Sequence, residues 1–343
     1  MHALHGLPEA LSAHWAAFAS FFVSATRDST ATFEGYMRGL FQSARANMLR
    51  MSEVNAVDHQ AMPHMLTAGS VDWQGFGQQI AREANELLGG KDAVLIVDES
   101  GFAKKGEASA GVARQWNGRL GKVDNCQVGV FATLCRGDMA TLIDTRLYLP
   151  EAWCSADERC RKAAIPKDQR QFRSQSPLAL EMLESARQPG VQFGSVGIDG
   201  GYGKEPAVLR GVDEPGCRLV ADVHGDQTIY LQDPKPRVPE ATASRGRTPS
   251  RLKAQCASQR VDRWAAAQPS DAWQRLTLRE GEKGLLRADD LHALVWAWDG
   301  EEATARCGHL LVRREVGADR ISHDCVSNAP LETPWQALAR VQA

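Results

Sequence analysis

No apolar stretch in the 343 residues approaches the ~20 that a helix needs to cross a bilayer; the longest, at 15–23 and 93–97, fall well short. Membrane insertion is therefore not expected. Lysine and arginine are missing before Arg27, so the basic start of a secretory leader is lacking, and a cytoplasmic protein is the expectation. The eight cysteines contain no C-x-x-C pair, which in a chain of this size argues for reduced thiols over a disulfide framework. An excess of one charge is also lacking: 40 Lys+Arg stand against 42 Asp+Glu, a net charge of -2. No global basic field can attract a polyanion, so any contact with nucleic acid must come from local patches. What is present is ordinary for a packed protein, with 43% hydrophobic and 24% charged residues, which excludes wholesale disorder. The length suffices for two or three structural units.

Residues 1–90 carry apolar side chains at three- and four-residue steps, Leu11, Trp15, Phe18 and Phe22, then Phe33, Tyr36, Leu40 and Phe41. This spacing predicts an α-helical front domain. It holds five arginines, no lysine and eight acids, a poor balance for gripping phosphates.

At Leu88-Gly89-Gly90 the pattern changes. Ala93-Val94-Leu95-Ile96-Val97 reads as a strand buried on both faces, ending in Asp98. Stretches 127–134 and 139–149 are joined by Cys135-Arg136-Gly137-Asp138 and predict an antiparallel hairpin. Ser176-Pro177 signals a helix over 178–188, Pro189-Gly190 stops it, and 191–198 returns as a strand ending at Asp199. Three antiparallel strands, a crossover helix and a fourth strand parallel to the first place strands one and four side by side, because such crossovers are right-handed. Asp98 and Asp199, 101 positions apart, are then neighbours.

Taken alone, Asp98 suits a strand end or a helix start. As a pair, two carboxylates at adjacent strand ends can share divalent cations, which activate the attacking oxygen and stabilise the leaving one in phosphoryl transfer. Side-chain alternation sends Glu99 to the opposite face, making it the weaker candidate. Gly200, Gly201 and Gly203 flank Tyr202 and leave room for a nucleic-acid backbone.

Several blocks carry a resemblance. Val97-Asp98-Glu99-Ser100-Gly101-Phe102-Ala103-Lys104-Lys105-Gly106, Gly111-Val112-Ala113-Arg114-Gln115-Trp116, and Asn125-Cys126-Gln127-Val128-Gly129-Val130-Phe131 follow one another in order. Leu149-Pro150-Glu151-Ala152-Trp153, Asp199-Gly200-Gly201-Tyr202-Gly203, Leu311-Val312-Arg313-Arg314 and Ser327-Asn328-Ala329-Pro330 continue the series. Together they resemble the DDE-type insertion-sequence transposases, from about residue 15 to the C-terminus. The resemblance implies an α/β, ribonuclease H-like mixed sheet with an N-terminal helical domain and a β-rich insertion. It implies domains at 1–90, 91–204 (core, first part), 205–305 (insertion) and 306–343 (return to the core). It also implies two Mg²⁺ ions, with Mn²⁺ able to substitute, double-stranded DNA at transposon ends and target as partner, and a homodimer on DNA among the assemblies to test. Asp98 and Asp199 match the first two family acids in position, as catalytic and metal-holding residues. The third family acid is a glutamate on a helix shortly after the Ser-Asn-Ala-Pro block. The sequence ends at Ala343, about where that helix begins, so a truncated transposase with impaired strand transfer is expected. Glu315 and Glu332 are weak substitutes, being a strand-end charge and a turn residue.

Lys104, Lys105 and Arg114 follow the first aspartate closely enough to reach phosphates. Between positions 233 and 263, eight basic residues, among them Lys235, Arg237, Arg245, Arg247, Arg251 and Lys253, outnumber three acids. Such a run is either a solvated face or a track for a DNA backbone. Trp116, Trp153, Trp264, Trp273, Trp296 and Trp298 could stack on unpaired bases, although core packing is the usual use of tryptophan. Cys307-x-His309 and His323-x-Cys325 place both members of each pair on one strand face; a zinc site would require the two strands to bring the pairs together, and the usual ligand spacing is absent. Two rival readings remain: a DNA-binding remnant that inhibits transposition without cutting, and an unrelated metal-dependent phosphohydrolase using the same aspartates.

Overall fold

The computed structural model describes residues 6–44, 47–203, 206–213, 217–240, 249–281, 284–318 and 320–342. The chain divides into two compact units, Met1–Glu83 and Ala84–Ala343. Helices α1 (Leu7–Ala16), α2 (Thr30–Gln42), α3 (Met48–Asn55) and α4 (Ala61–Thr67) precede α5 (Trp73–Leu88), within which the division falls. Trp15, Phe18, Phe22, Phe33 and Met65 form the core of the first unit. Phe22 and Phe33 stack with centroids 4.0 Å apart. The apolar period read from the sequence overruns the helices: Phe18 and Phe22 lie beyond α1, at a 3-10 turn over Ala19–Phe22, and Phe41 is exposed. Gly39 lets α2 approach α3, since a Cβ there would overlap the Met51 side chain.

The second unit is built on one mixed sheet. Its strands are β1 (Gly90–Ala103), β2 (Ala113–Asn117), β3 (Lys122–Arg136), β4 (Met139–Leu147), β5 (Phe193–Ile198) and β6 (Arg218–Val223), then β9 (Gln274–Gly281), β10 (Gly284–Ala297), β11 (Arg306–Glu315) and β12 (Ile321–Ser327). A separate two-stranded pairing joins β7 (Thr228–Ile229) to β8 (Gln259–Arg260). Among the helices are α6 (Glu151–Cys154), α7 (Asp157–Lys162), α8 (Gln175–Arg187), α9 (Gly200–Gly203), α10 (Pro206–Asp213), α11 (Val261–Ala266) and α12 (Trp335–Gln342). The sheet order is β2-β3-β1-β5-β6-β12-β11-β10-β9, with β4 also on β3.

β3 and β4 form the expected hairpin, closing at Arg136↔Met139 around Gly137, whose φ of 61° suits a residue without a Cβ. α8 starts earlier than the Ser-Pro signal suggested, with Ser174 as N-cap, and buries Leu178, Ala179, Met182, Leu183 and Ala186. It leads to β5, which lies parallel to β1. α9 and α10 then connect to β6, parallel to β5. Strands β4-β3-β1-β5-β6 thus adopt a ribonuclease H-like order. β6 is a central strand with β5 on one side and β12 on the other, not an isolated piece within an insertion.

Beyond β6 the sheet continues as an antiparallel meander with both faces covered. Leu291, Val295, Leu310 and Val312 pack with Val261 and Trp264 of α11, while Ala288, Leu311 and Cys325 pack with Leu338 and Ala339 of α12. Period-two alternation gives one strand two apolar faces here. On the α12 side Arg313 donates to buried Asp290 at 3.0 Å and to the Ala339 carbonyl at 2.6 Å. The register sets Leu311, not Cys307, opposite Cys325, and Arg313 opposite His323, so the two cysteine–histidine pairs do not converge. His309 instead meets His292 at 2.9 Å and the Pro330 carbonyl at 3.1 Å. No described helix is long and apolar enough to cross a membrane.

Candidate active site

The parallel ladder between β1 and β5 ends at Val97↔Ile198, and the next residue on each strand is an aspartate. One carboxylate oxygen from each of Asp98, Glu99 and Asp199 falls within 4.8 Å of the others. Asp199 is fixed by the turn that follows it: Gly201 and Tyr202 donate backbone N–H groups to its Oδ1 at 3.0 and 3.3 Å, in the manner of an N-cap. Asp98 Oδ1 accepts the Glu99 N–H at 2.7 Å. Among the described residues, the Oδ2 of neither aspartate makes a hydrogen bond.

Glu99 belongs to the cluster, contrary to the expectation from alternation. It continues the row of Ala93, Leu95 and Val97, which are buried, but past Val97 no β5 residue stands beside β1. Its longer side chain then comes into the vicinity of Asp199 and of Tyr202 on α9. The alternation rule describes a strand inside its ladder and fails at the ladder's end.

Burial raises the pKa of Asp98 above the ordinary carboxylate value, opposed by its bond from the Glu99 N–H and reinforced by the negative charge of Asp199. Burial is also the first cause for Glu99, where the Tyr202 hydroxyl pulls the other way and the two aspartates add to the rise. Burial, then Glu99, push the Tyr202 phenol far upward, so it stays protonated.

The donor set suits a divalent cation on three counts. All three ligands are hard oxygens. Glu99 Oε2 and the Tyr202 hydroxyl are buried without a well-formed hydrogen bond. Among the described residues, no lysine or arginine pairs with any of the three carboxylates. Like charges gathered without a counter-charge raise one another's cost of ionisation, and a bound cation removes that cost.

A cavity of about 430 Å³ opens on this cluster; Glu99, Asp199, Tyr202, Trp116, His224 and the start of α8 at 174–176 contribute to its lining. The basic residues singled out by the sequence are elsewhere. Lys104 is half-buried and Lys105 exposed at the end of β1, and Arg114 is exposed on β2. Lys235, Arg237, Arg251 and Lys253 are exposed beyond β6, where an isolated bridge sets Arg237 against Lys253. None of these lines the cavity. Arg245 and Arg247 lie outside the described residues. Glu315 and Glu332 are not in the cluster.

Gly203 is buried against β6, where a Cβ would overlap the Asp222 carbonyl, so it serves helix–strand packing instead of an approach by nucleic acid. Several other motif residues hold the frame. Trp153 is fully buried and its indole donates to the Val112 carbonyl at 2.8 Å, with the Arg159 guanidinium 3.8 Å above its ring. Asn328 accepts the Leu219 N–H at 2.6 Å and donates to the Cys217 carbonyl at 3.0 Å, tying the end of β12 to the start of β6.

An acid trio lies at the ends of two parallel strands in a sheet of ribonuclease H-like order. Residues 19–285 match the family model of the DDE superfamily endonucleases, and the chain belongs to that family. A segment of 163 residues is 25% identical to the "Probable transposase for insertion sequence element IS701" of Microchaete diplosiphon. That match covers 47% of this chain and 39% of the relative, so the chain spans about two fifths of the curated relative it matches. Among solved structures, the NurA nuclease from Sulfolobus solfataricus aligns at a TM-score of 0.29 and 8% identity, over 78% of this chain and 79% of that one.

Proposed function

We propose that the chain is a DNA transposase whose nuclease centre hydrolyses phosphodiester bonds at element ends and joins the freed 3′-hydroxyl to target DNA. The single observation that carries this reading is the convergence of Asp98, Glu99 and Asp199 at the end of the β1–β5 ladder. Asp98 and Asp199 are the catalytic pair, and Glu99 joins them in holding two Mg²⁺ ions, which Mn²⁺ can replace. When bound, such ions activate the attacking oxygen and neutralise charge on the leaving one.

The chain's own residues supply the geometry. The Gly201 and Tyr202 N–H groups keep Asp199 aimed by occupying its Oδ1, and the Glu99 N–H does the same for Asp98. Tyr202, protonated, faces Glu99 and limits the directions its carboxylate can take. The first turn of α8 lines the cavity, and a helix start of this kind suits a phosphate. Lys104, Lys105 and Arg114 contact backbone phosphates to either side, and Lys235, Arg237, Arg251 and Lys253 track the duplex further out, with Arg245 and Arg247 assigned to the same run by sequence alone. Binding as a homodimer would bring two element ends together. We place the working site at the nucleoid.

The test is cleavage of a linear duplex carrying the ends of the element, with and without Mg²⁺. Wild type should nick or cut at the ends only with the metal, and Asp98→Asn or Asp199→Asn should lower the rate by about a thousandfold or more, as loss of a principal charge-holding group does. Specific end binding without cleavage would replace this reading with that of an inhibitory binding protein. Turnover of a small phosphate ester without affinity for DNA would replace it with a phosphohydrolase.

A further inference from the structure

The indole of Trp116 is 58% exposed, whereas Trp153 is fully buried and Trp264 nearly so. It sits on β2 opposite Val123, itself exposed, and it lines the cavity that also contains Glu99 and Asp199. Among the described residues its ring N–H has no hydrogen-bond partner. A large apolar ring left in water beside a charged cluster contributes nothing to the core, and its face remains available to a ligand.

The rest of the cavity indicates what that ligand is. The carboxylates of Glu99 and Asp199 line the cavity and would hold a divalent cation able to offset the charge of a phosphodiester. The same cavity is lined by the start of α8, at Ser174, whose hydroxyl makes no capping bond, followed by Gln175 and Ser176. A 13-residue helix directs its N-terminal dipole toward this opening. Arg114, two residues before Trp116 and on the same face of β2, is exposed beside it. A volume of about 430 Å³ lies within the roughly 300–1,000 Å³ that small ligands fill. An acid cluster for a phosphodiester, a flat aromatic face and an anion-attracting helix end around one opening match the parts of a nucleotide.

We infer that Trp116 is a substrate-stacking residue, receiving the unpaired base of the nucleotide next to the phosphodiester that the acids address. The inference rests on the proposed nuclease reading and adds to it a demand on the substrate. A paired base keeps its face against its neighbours, so the nucleotide must be unpaired, at an overhang or drawn out of the duplex. Stacking is tolerant of base identity, so Trp116 supports placement of the cut rather than reading of sequence.

The experiment uses the full chain and a short duplex with a 3′ overhang, carrying 2-aminopurine either as the first unpaired base or five pairs inside the duplex. Ca²⁺ replaces Mg²⁺ to slow cleavage. Wild type should quench the overhang probe and leave the internal one unchanged. Trp116→Ala should abolish the quench and weaken overhang binding roughly tenfold, the size of one lost base–aromatic stack, while Trp116→Phe should fall between them. Melting temperatures of both variants should match wild type, because the ring is exposed. Binding and cleavage by wild type with equal quenching in all three proteins would overturn the role of Trp116 while leaving the nuclease reading intact. Failure of wild type to bind either DNA would overturn both.

Discussion

Val97 and Ile198 stand opposite each other in the last rung of the parallel β1–β5 ladder, and this rung sets the spacing of the aspartates that follow them. Among the described residues no lysine or arginine pairs with either aspartate, and partial desolvation disfavours the charge on Asp98 although its side chain is exposed. The site is therefore assembled at the expense of stability, a cost that can be measured.

Neutralising a member of the cluster should stabilise the metal-free protein. The Asp98 and Glu99 pKa values are raised in the fold, so the folded state favours their protonated forms; the stability they contribute is full below the ordinary carboxylate value and is lost as pH rises from there through the raised values. Asp98 is exposed, so solvent screens most of this effect; at pH 7.5 with chelator, Asp98→Asn should melt at or slightly above wild type, and any difference should vanish near pH 4. Adding Mg²⁺ should raise the melting temperature of wild type more than that of the variant.

Glu99 is expected to hold metal and not merely to lie near it. Titration calorimetry with Mn²⁺ should show affinity at least tenfold weaker in Glu99→Gln than in wild type. Tyr202→Phe, which removes only the buried hydroxyl facing that carboxylate, should change it less. Equal affinity in wild type and Glu99→Gln would remove Glu99 from the ligand set.

Asp324 offers a separate pH signature. It is buried on the α11 side of β12 with Oδ1 unpartnered, and burial, together with the charges of Asp222 and Asp262, pushes its pKa up to about 6. Stability should therefore fall as pH rises from about 4 to 6 and level off above. Asp324→Asn should be more stable than wild type to urea at pH 8 and close to it at pH 4, and a pH-independent difference would contradict the assignment.

The Asp290–Arg313 pair lies under α12, with Arg313 also holding the Ala339 carbonyl. Arg313→Met leaves a carboxylate buried without its partner and should cost about 3–5 kcal/mol in denaturant unfolding. The double variant Asp290→Leu, Arg313→Met should recover much of that loss. Additive losses would show that packing, and not the unpaired charge, dominates.

The strand order and the aspartate pair were legible because each rests on local signals: a continuous apolar run before Asp98, a turn at Gly137, a stop at Pro189-Gly190, and the handedness of the crossover. Glu99 was not, because alternation holds only inside a ladder and the sequence does not show where β5 stops. The resemblance places β6 inside the 205–305 insertion, whereas its position in the sheet depends on β12, over a hundred positions away. The tryptophans illustrate the same limit. Trp153 is buried with its indole bonded to a carbonyl 41 positions earlier in the chain, and among the described residues Trp116 has no such partner; composition treats them alike.

One hydrogen-bonded ladder runs unbroken from β9 to β2, with β6 stitched on both sides. The hairpin of β9 and β10 cannot swing like an arm toward or away from the acid trio without tearing backbone bonds across several strands. Any group that binds the distal strands is therefore held at a set distance from the acid trio, so this half of the sheet would act as a ruler.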